Sequence, residues 1–325
     1  MMTIDISQSP ALSVVICAHN SRRDYLATTL EALASQSLPK SEWELILVDN
    51  ASSEALESWD RISTFDLPLR VIREEKLGLV QARLTGIRNS KGKWIVFSDD
   101  DNVLDPQYLE LAIKLAGSNP RLGCFGSGTI IGQFEVEPPA DVEPYLPALA
   151  LRQIKQPMLS SNYEWSRAPY GAGLVVRRDI AECYAAAVAV DEERLLLDRV
   201  GTGLLGCGDI DIAFTACDAG MTCGVFPELR LVHLIPNQRL DKKYLQRLLV
   251  GSGQSSIYLL ASRNLATPYL RGMIARVFWL MVHLCGSTSH SRRKRYQTVG
   301  ELKGLWLLWR RSRARCRPRE YRSPM

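Results

Sequence analysis

Trp94-Ile95-Val96-Phe97-Ser98-Asp99-Asp100-Asp101-Asn102 sets three consecutive carboxylates directly after a short apolar run. The run has the length and composition of a buried strand. Three adjacent carboxylates repel one another, so a chain that places them at a strand end needs something to neutralise them. A hard divalent cation does this well, and Mg²⁺ commonly takes one or two carboxylates together with substrate phosphates. A metal-bridged phosphate site is therefore one reading. A solvated acidic turn is the other, because Asp105-Pro106 looks like a helix start and acidic runs are common at turns.

Working outward, Ser13–Ala18, Trp43–Val48, Leu69–Ile72 and Lys93–Ser98 read as four buried strands. Between them, Ser21–Gln36 reads as a helix with Tyr25, Leu26, Leu30 and Leu33 on one face, and Leu79–Arg88 as a second. Strand and helix alternating over short connections predict an α/β fold with an open parallel sheet. Such sheets bind ligands beyond the carboxyl ends of their strands. Asn20, Asp49 and Asp99–Asp101 all fall at those ends, which weighs against a merely solvated turn. Further on, residues 135–147 hold four prolines and several acids, the composition of a surface loop or mobile lid. Tyr170–Val176 is a glycine-bearing turn feeding a strand. Residues 201–211 are glycine-rich and lead into a helix from near Ile210. Val225-Phe226 and Leu229–Leu234 are strand-like and carry His233. There is no internal repeat.

At 325 residues, with 46% apolar and 23% charged side chains, the chain can bury a full core. The net charge of +5 is uneven: residues 286–325 carry +10, leaving the rest near −5. Basicity confined to a tail argues against a nucleic-acid binder. The eight cysteines (17, 124, 183, 207, 217, 223, 285 and 316) form no CxxC pair and no zinc spacing, as expected for free thiols in a reducing compartment. Met1-Met2-Thr3-Ile4-Asp5 lacks the basic and apolar regions of a signal peptide, so none is expected. Leu270–Cys285 is apolar but short for a bilayer span and interrupted by Arg271 and Arg276. With Leu305–Trp309 and Arg310-Arg311, it suits helices lying in an anionic membrane interface, or else a packed helix with a basic tail. The expected organisation is an N-terminal extension (1–10), an α/β domain (11–240) and a helical, basic C-terminal extension (241–325).

Several motifs in this order resemble the inverting glycosyltransferases of family 2: Val14–Asn20, Leu45–Ser52, Gly78–Ile87, Phe97–Asp101, Gly171-Ala172-Gly173 and Gly208-Asp209-Ile210-Asp211. The resemblance covers about residues 12–236. It implies the GT-A nucleotide-diphospho-sugar transferase fold, a Rossmann-like open mixed sheet flanked by helices. It also implies roles. Cys17, Ala18 and His19 line the nucleotide base, Asp49 accepts hydrogen bonds from that base, and Arg83 contacts the nucleotide. Asp99 and Asp101 match the ends of an Asp-x-Asp motif, Asp101 binding a divalent metal (Mn²⁺ or Mg²⁺) and Asp99 the ribose or a metal-bound water. Asp100 stands between them on the nucleotide side, and His233 is similar to a histidine that completes the metal shell. Asp209 matches the general base, with Asp211 the competing carboxylate; Gly208 stands where the family usually has glutamate. The Gly171–Gly173 turn lets backbone approach the donor sugar or acceptor.

The implied activity is transfer of a sugar from a nucleotide-diphosphate donor to a hydroxyl of a glycan or lipid-linked acceptor, as in cell-surface polysaccharide synthesis. The basic C-terminal region would hold the enzyme at the inner face of the cytoplasmic membrane. A nucleotidyltransferase would carry a glycine-rich basic loop after the first strand, where Cys17–Arg23 has no glycine. A dinucleotide-dependent dehydrogenase would need GxGxxG there. A non-catalytic nucleotide-sugar-binding protein would have no use for Asp209.

Overall fold

The computed structural model describes residues 9–265 and 269–315. The first eight residues and the tail from residue 316, with Cys316, lie outside the described residues. The elements, in chain order, are β1 (Leu12–Ala18), α1 (Arg23–Ala34), β2 (Trp43–Asn50), β3 (Leu69–Glu74), α2 (Leu79–Asn89), β4 (Trp94–Asp99), β5 (Asn102–Leu104) and α3 (Tyr108–Ser118). They continue with β6 (Leu122–Phe134), β7 (Arg152–Gln153), β8 (Met158–Ser160), β9 (Leu174–Arg177), α4 (Arg178–Val190), α5 (Gly208–Asp218) and β10 (Thr222–Ile235). Three helices close the described chain: α6 (Lys242–Ser262), α7 (Tyr269–Cys285) and α8 (Ser289–Arg315).

One ten-stranded sheet runs in the order β3-β2-β1-β4-β9-β6-β10-β5, with β7 on β6 and β8 on β10. The first four strands are parallel, as the alternating pattern predicts. The rest is mixed: β9 is antiparallel to both β4 and β6, while β6 and β10 are parallel. The sheet is thus mixed, as the family resemblance implies and as the alternation of strand and helix alone does not, and the acidic turn supplies one reason. Parallel neighbours need a crossover of about a dozen residues or more. Only Asp100 and Asp101 separate β4 from β5, so β5 turns away and pairs antiparallel with β10.

Alternate residues of the central strands bury on opposite faces. Val15, Ile46 and Phe97 face α2, α4 and α5, while Val14, Ile16 and Leu47 face α1 and α3. Cover on both sides explains why these strands read as continuous apolar runs rather than alternating ones.

Two expectations for the irregular segments change. Of residues 135–147, the part up to Asp141 is largely exposed, as a surface loop, but the part from Val142 is not a free lid. Glu143–Leu149 forms a 3₁₀ turn, and Val142, Tyr145 and Leu149 are buried with Leu245 and Leu249 of α6. The Tyr145 ring meets Tyr296 of α8 edge-on, with centroids 6.0 Å apart. Leu305 and Leu308 of α8 are core residues beside Ile257 and Leu259 of α6, so the Leu305–Trp309 segment is not an exposed apolar stripe. Backbones close together hold it there: a Cβ at Gly253 or Gly300 would stand 2.0 Å from a carbonyl oxygen of the facing helix. Trp306 is the exposed member of that segment, and the longest run of exposed apolar residues lies on α7.

Candidate active site

The carboxyl ends of β1, β2 and β4, the start of α5 and the segments around residues 77–79, 147–150, 199–206 and 236–239 enclose a cavity of about 600 Å³. That is the size of a small-molecule site. Cys17, Ala18, His19, Arg83, Asp99, Asp100, Asp101, Gly171, Ala172, Asp209 and His233 all line it. Residues separated by up to 216 positions therefore meet where the sequence reading placed a ligand.

At the end of β1, His19 Nδ1 lies 2.7 Å from the Asn50 carbonyl oxygen and Nε2 lies 3.2 Å from Asn20 Nδ2. A carbonyl can only accept, so Nδ1 carries the proton and Nε2 accepts from the amide. Burial pushes the Cys17 thiol up to about 12, so it stays protonated and contributes shape rather than nucleophilicity. Asn50, missed in the sequence reading, orders the β3–α2 connection: its Oδ1 accepts from Gly78 N–H at 2.8 Å and its Nδ2 donates to the Lys76 carbonyl at 2.7 Å. Gly78 has φ +141, a conformation that favours glycine.

The acidic turn is closed by Asn102, whose Oδ1 accepts from Asp99 N–H at 3.1 Å and whose Nδ2 donates to Asp101 Oδ1 at 3.0 Å. Ser21 Oγ donates to Asp100. Burial, then the adjacent Asp101 charge, raise both Asp99 and Asp100, the latter to about 7. The antiparallel register sets His233 opposite Asn102, which brings the ring to the turn. His233 Nδ1 donates to the Leu149 carbonyl at 3.1 Å, leaving a lone pair on Nε2, 3.5 Å from Asp101 Oδ2. Arg239 was not foreseen. Its Nη1 lies 3.0 Å from both Asp101 Oδ2 and His233 Nε2. A carboxylate oxygen and an imidazole lone pair converging on one positive group form a suitable donor set for a divalent cation. The guanidinium sits where these two donors converge. In this arrangement no three His, Cys, Asp or Glu side chains among the described residues converge as a ready metal cluster.

Across the cavity, Asp209 lies in the first turn of α5. Its Oδ2 accepts from Gly171 N–H at 2.8 Å and its Oδ1 from Ile210 N–H at 2.7 Å. Burial pushes its carboxyl up to about 6, against the pull of Arg83 and with the push of Asp198. Arg83 is buried in α2, with Nη1 2.6 Å from Asp198 Oδ2 and its guanidinium 6.0 Å from the Phe97 ring centroid. Gly171 must be small, because a Cβ there would lie 2.8 Å from Arg83 Nη2.

Three expected site residues are not brought to the cavity. Asp49 is buried behind it, with its oxygens taken by Ser52 N–H, Leu56 N–H and the Arg73 guanidinium. It orders the loop after β2. Asp211 is fully buried on another face of α5, with Oδ1 2.9 Å from Arg194 and 2.7 Å from Arg263. The helical turn of about 100° per residue points it away from Asp209, which removes it as the competing base. Gly173, at φ +73, packs against Tyr108 and Ser127, and its carbonyl accepts from Tyr108 Oη at 2.5 Å.

A mixed open sheet with helices on both faces, and carboxylates facing one another over a cleft at its strand ends, defines the GT-A class of glycosyltransferases. Residues 13–184, over half of the chain, match the model of "Glycosyl transferase family 2", and the chain belongs to that family. The glycosyltransferase AglE of Haloferax volcanii is 24% identical over 294 residues, 87% of this chain and 84% of its own length. An uncharacterized glycosyltransferase of Haemophilus influenzae is 32% identical over 112 residues, 34% of this chain and 36% of its own length. That match and a comparable one in Bacillus subtilis span about a third of those relatives. Among solved structures, a mannosyltransferase of Pyrobaculum calidifontis in complex with GDP-Man and Mn²⁺ superposes with a TM-score of 0.60 at 17% identity. The superposition covers 92% of this chain and 88% of that one, and it shows the shared fold.

Proposed function

We propose that this glycosyltransferase moves a sugar from a nucleoside-diphosphate donor, with inversion, to a hydroxyl of a glycan or lipid-linked acceptor in cell-surface polysaccharide synthesis. The observation that carries this reading is the placement of Asp209. Its carboxylate lines the same cavity as the Asp99–Asp101 turn, with a proton affinity raised to about 6. At neutral pH it is ionised, yet basic enough to take a proton from an acceptor hydroxyl as that oxygen attacks the anomeric carbon. The leaving diphosphate lies on the opposite side, so displacement inverts the centre. Gly171 N–H and Ile210 N–H hold the carboxylate in orientation.

Asp101 and His233, with Asp99 nearby, would hold a divalent cation, whose charge offsets that developing on the leaving diphosphate. The Pyrobaculum protein carries GDP-Man and Mn²⁺ on the same fold, in agreement with that assignment. Cys17, Ala18 and His19 form the wall for the base, and Arg83 and Asp100 lie on the nucleotide side. Asp49 supports that wall from behind.

No helix among the described residues is long and apolar enough to cross a membrane. On α7, Ile274, Val277, Phe278, Met281 and Val282 follow helical spacing and are 43–63% exposed. Arg292–Arg295 follow at the start of α8. An apolar stripe beside a basic cluster fits the surface of an anionic bilayer. It would hold the enzyme peripherally at the inner face of the cytoplasmic membrane, beside a lipid-linked acceptor. The test is a melting screen of UDP-, GDP- and dTDP-sugars with Mn²⁺ or EDTA, followed by nucleoside diphosphate release from the donor that binds. A metal-dependent rise with one base, and release abolished in Asp209→Asn, is the expected result. Release by Asp209→Asn at the wild-type rate would remove the base assignment.

A further inference from the structure

We propose that Asp198, in the loop before α5, supplies the carboxylate that position 208 lacks and positions Asp209 through Arg83. The proposal rests on the reading of Asp209 as the base. Gly208 opens α5 immediately before Asp209. A Cβ built on it would stand 2.4 Å from Asp198 Oδ2 and 2.9 Å from Arg83 Nη1. The volume for a side chain there is already filled by a carboxylate and a guanidinium. Gly208 is not in the left-handed region, so the ion pair, rather than the backbone, demands glycine.

The link to Asp209 runs through the charge of Arg83. Asp198 is only 6% exposed and lines the cavity. Its Oδ2 accepts from Arg83 Nη1 at 2.6 Å and its Oδ1 from Arg199 N–H at 2.9 Å. A carboxylate accepts about four hydrogen bonds, so it keeps capacity for a further donor in the cavity. Arg83 is bonded to Asp198, lies over the Phe97 face and passes close to Gly171, whose N–H is bonded to Asp209. The groups that act on Asp209 are Arg83 from α2 and Asp198 from the loop, with the Cys207 and Cys124 thiols near it. Without the Asp198 charge, the whole field of Arg83 would fall on Asp209 and weaken it as a base.

Three variants and one double variant test this. Gly208→Glu sets a second carboxylate against Asp198, and Asp198→Ala leaves Arg83 buried without its partner. Each single change is expected to lower the melting temperature and to cut nucleoside diphosphate release at least tenfold. Asp198→Ala with Gly208→Glu returns a carboxylate to Arg83 from the other side. The pair is expected to melt above the sum of the single effects and to regain at least tenfold activity over either single variant. The isosteric Asp198→Asn is expected to move the acid limb of kcat/KM below the wild-type position, with donor affinity within twofold. Additive melting effects, or an unmoved acid limb in Asp198→Asn, would overturn the proposal. If wild-type protein releases no nucleoside diphosphate from any donor, the donor reading fails by itself. The melting cycle then still decides whether positions 198 and 208 share one carboxylate site.

Discussion

Changing Asp209 to Asn removes the carboxylate assigned as the base, keeps the side chain's shape and retains one of its two bonds from backbone N–H. The amide oxygen can still accept from Gly171 N–H, so the cleft keeps its shape and donor affinity is expected to stay within twofold. A positioned base contributes about 10²–10⁴-fold, which at about 1.36 kcal/mol per tenfold is about 3–5 kcal/mol of transition-state stabilisation. The pH dependence follows with a definite sign. Burial raises Asp209 to about 6, and the base works ionised, so activity is present above that value and is lost as pH falls through it. At pH 5 about a tenth of the carboxyl is ionised and at pH 7 about nine tenths, a roughly tenfold fall in kcat/KM between the two. Asp100, pushed up to about 7, titrates in the same range, so the profile is measured in wild type and in Asp100→Asn. The assay is nucleoside diphosphate release under subsaturating acceptor. Retention of more than a tenth of the wild-type rate by Asp209→Asn, or an acid limb unchanged in that variant, would refute the reasoning.

Asp101→Ala should abolish the Mn²⁺-dependent rise in melting temperature with donor, and an unchanged rise would take Asp101 out of the metal shell. Arg239→Gln frees the space between Asp101 and His233, so Mn²⁺ affinity by titration calorimetry should increase; a decrease would make the guanidinium a helper rather than a competitor. Arg263→Met leaves Asp211 buried with Arg194 as its remaining close partner. Breaking a buried pair costs about 3–5 kcal/mol, to be read from denaturant unfolding, while donor affinity stays the same because that network lies outside the cavity. Phe278→Glu with Met281→Glu should abolish co-sedimentation with anionic vesicles without changing the melting temperature, since both side chains are exposed; undiminished binding would move the membrane contact elsewhere.

The parallel half of the sheet, the helices covering it and the acidic turn after β4 were legible in the sequence because they depend on local periodicity and strand ends. Val14–Ala18 and Leu45–Val48 are apolar at nearly every position because helices cover both faces of the sheet. The placement of Asp99–Asp101 and Asp209 was also legible, since each stands at the end or start of a regular element. Side chains joined through space were not. Asp198 lies 115 positions from Arg83, and Arg239 reaches Asp101 from a turn beyond β10. Nothing in their local sequence marks either one. Asp211, two residues from Asp209, has the same composition signal, and only the turn of α5 and the partners Arg194 and Arg263 assign it to the interior. Likewise Leu305, Leu308 and the segment from Val142 to Leu149 owe their burial to α6, while residues 135–141 stay at the surface as their composition suggests. Periodicity in the chain determined which segments are strands and helices and where their polar ends fall. Tertiary packing decided which of those polar groups share a cavity, because distance, burial and charge pairing are properties of the folded arrangement and not of spacing along the chain.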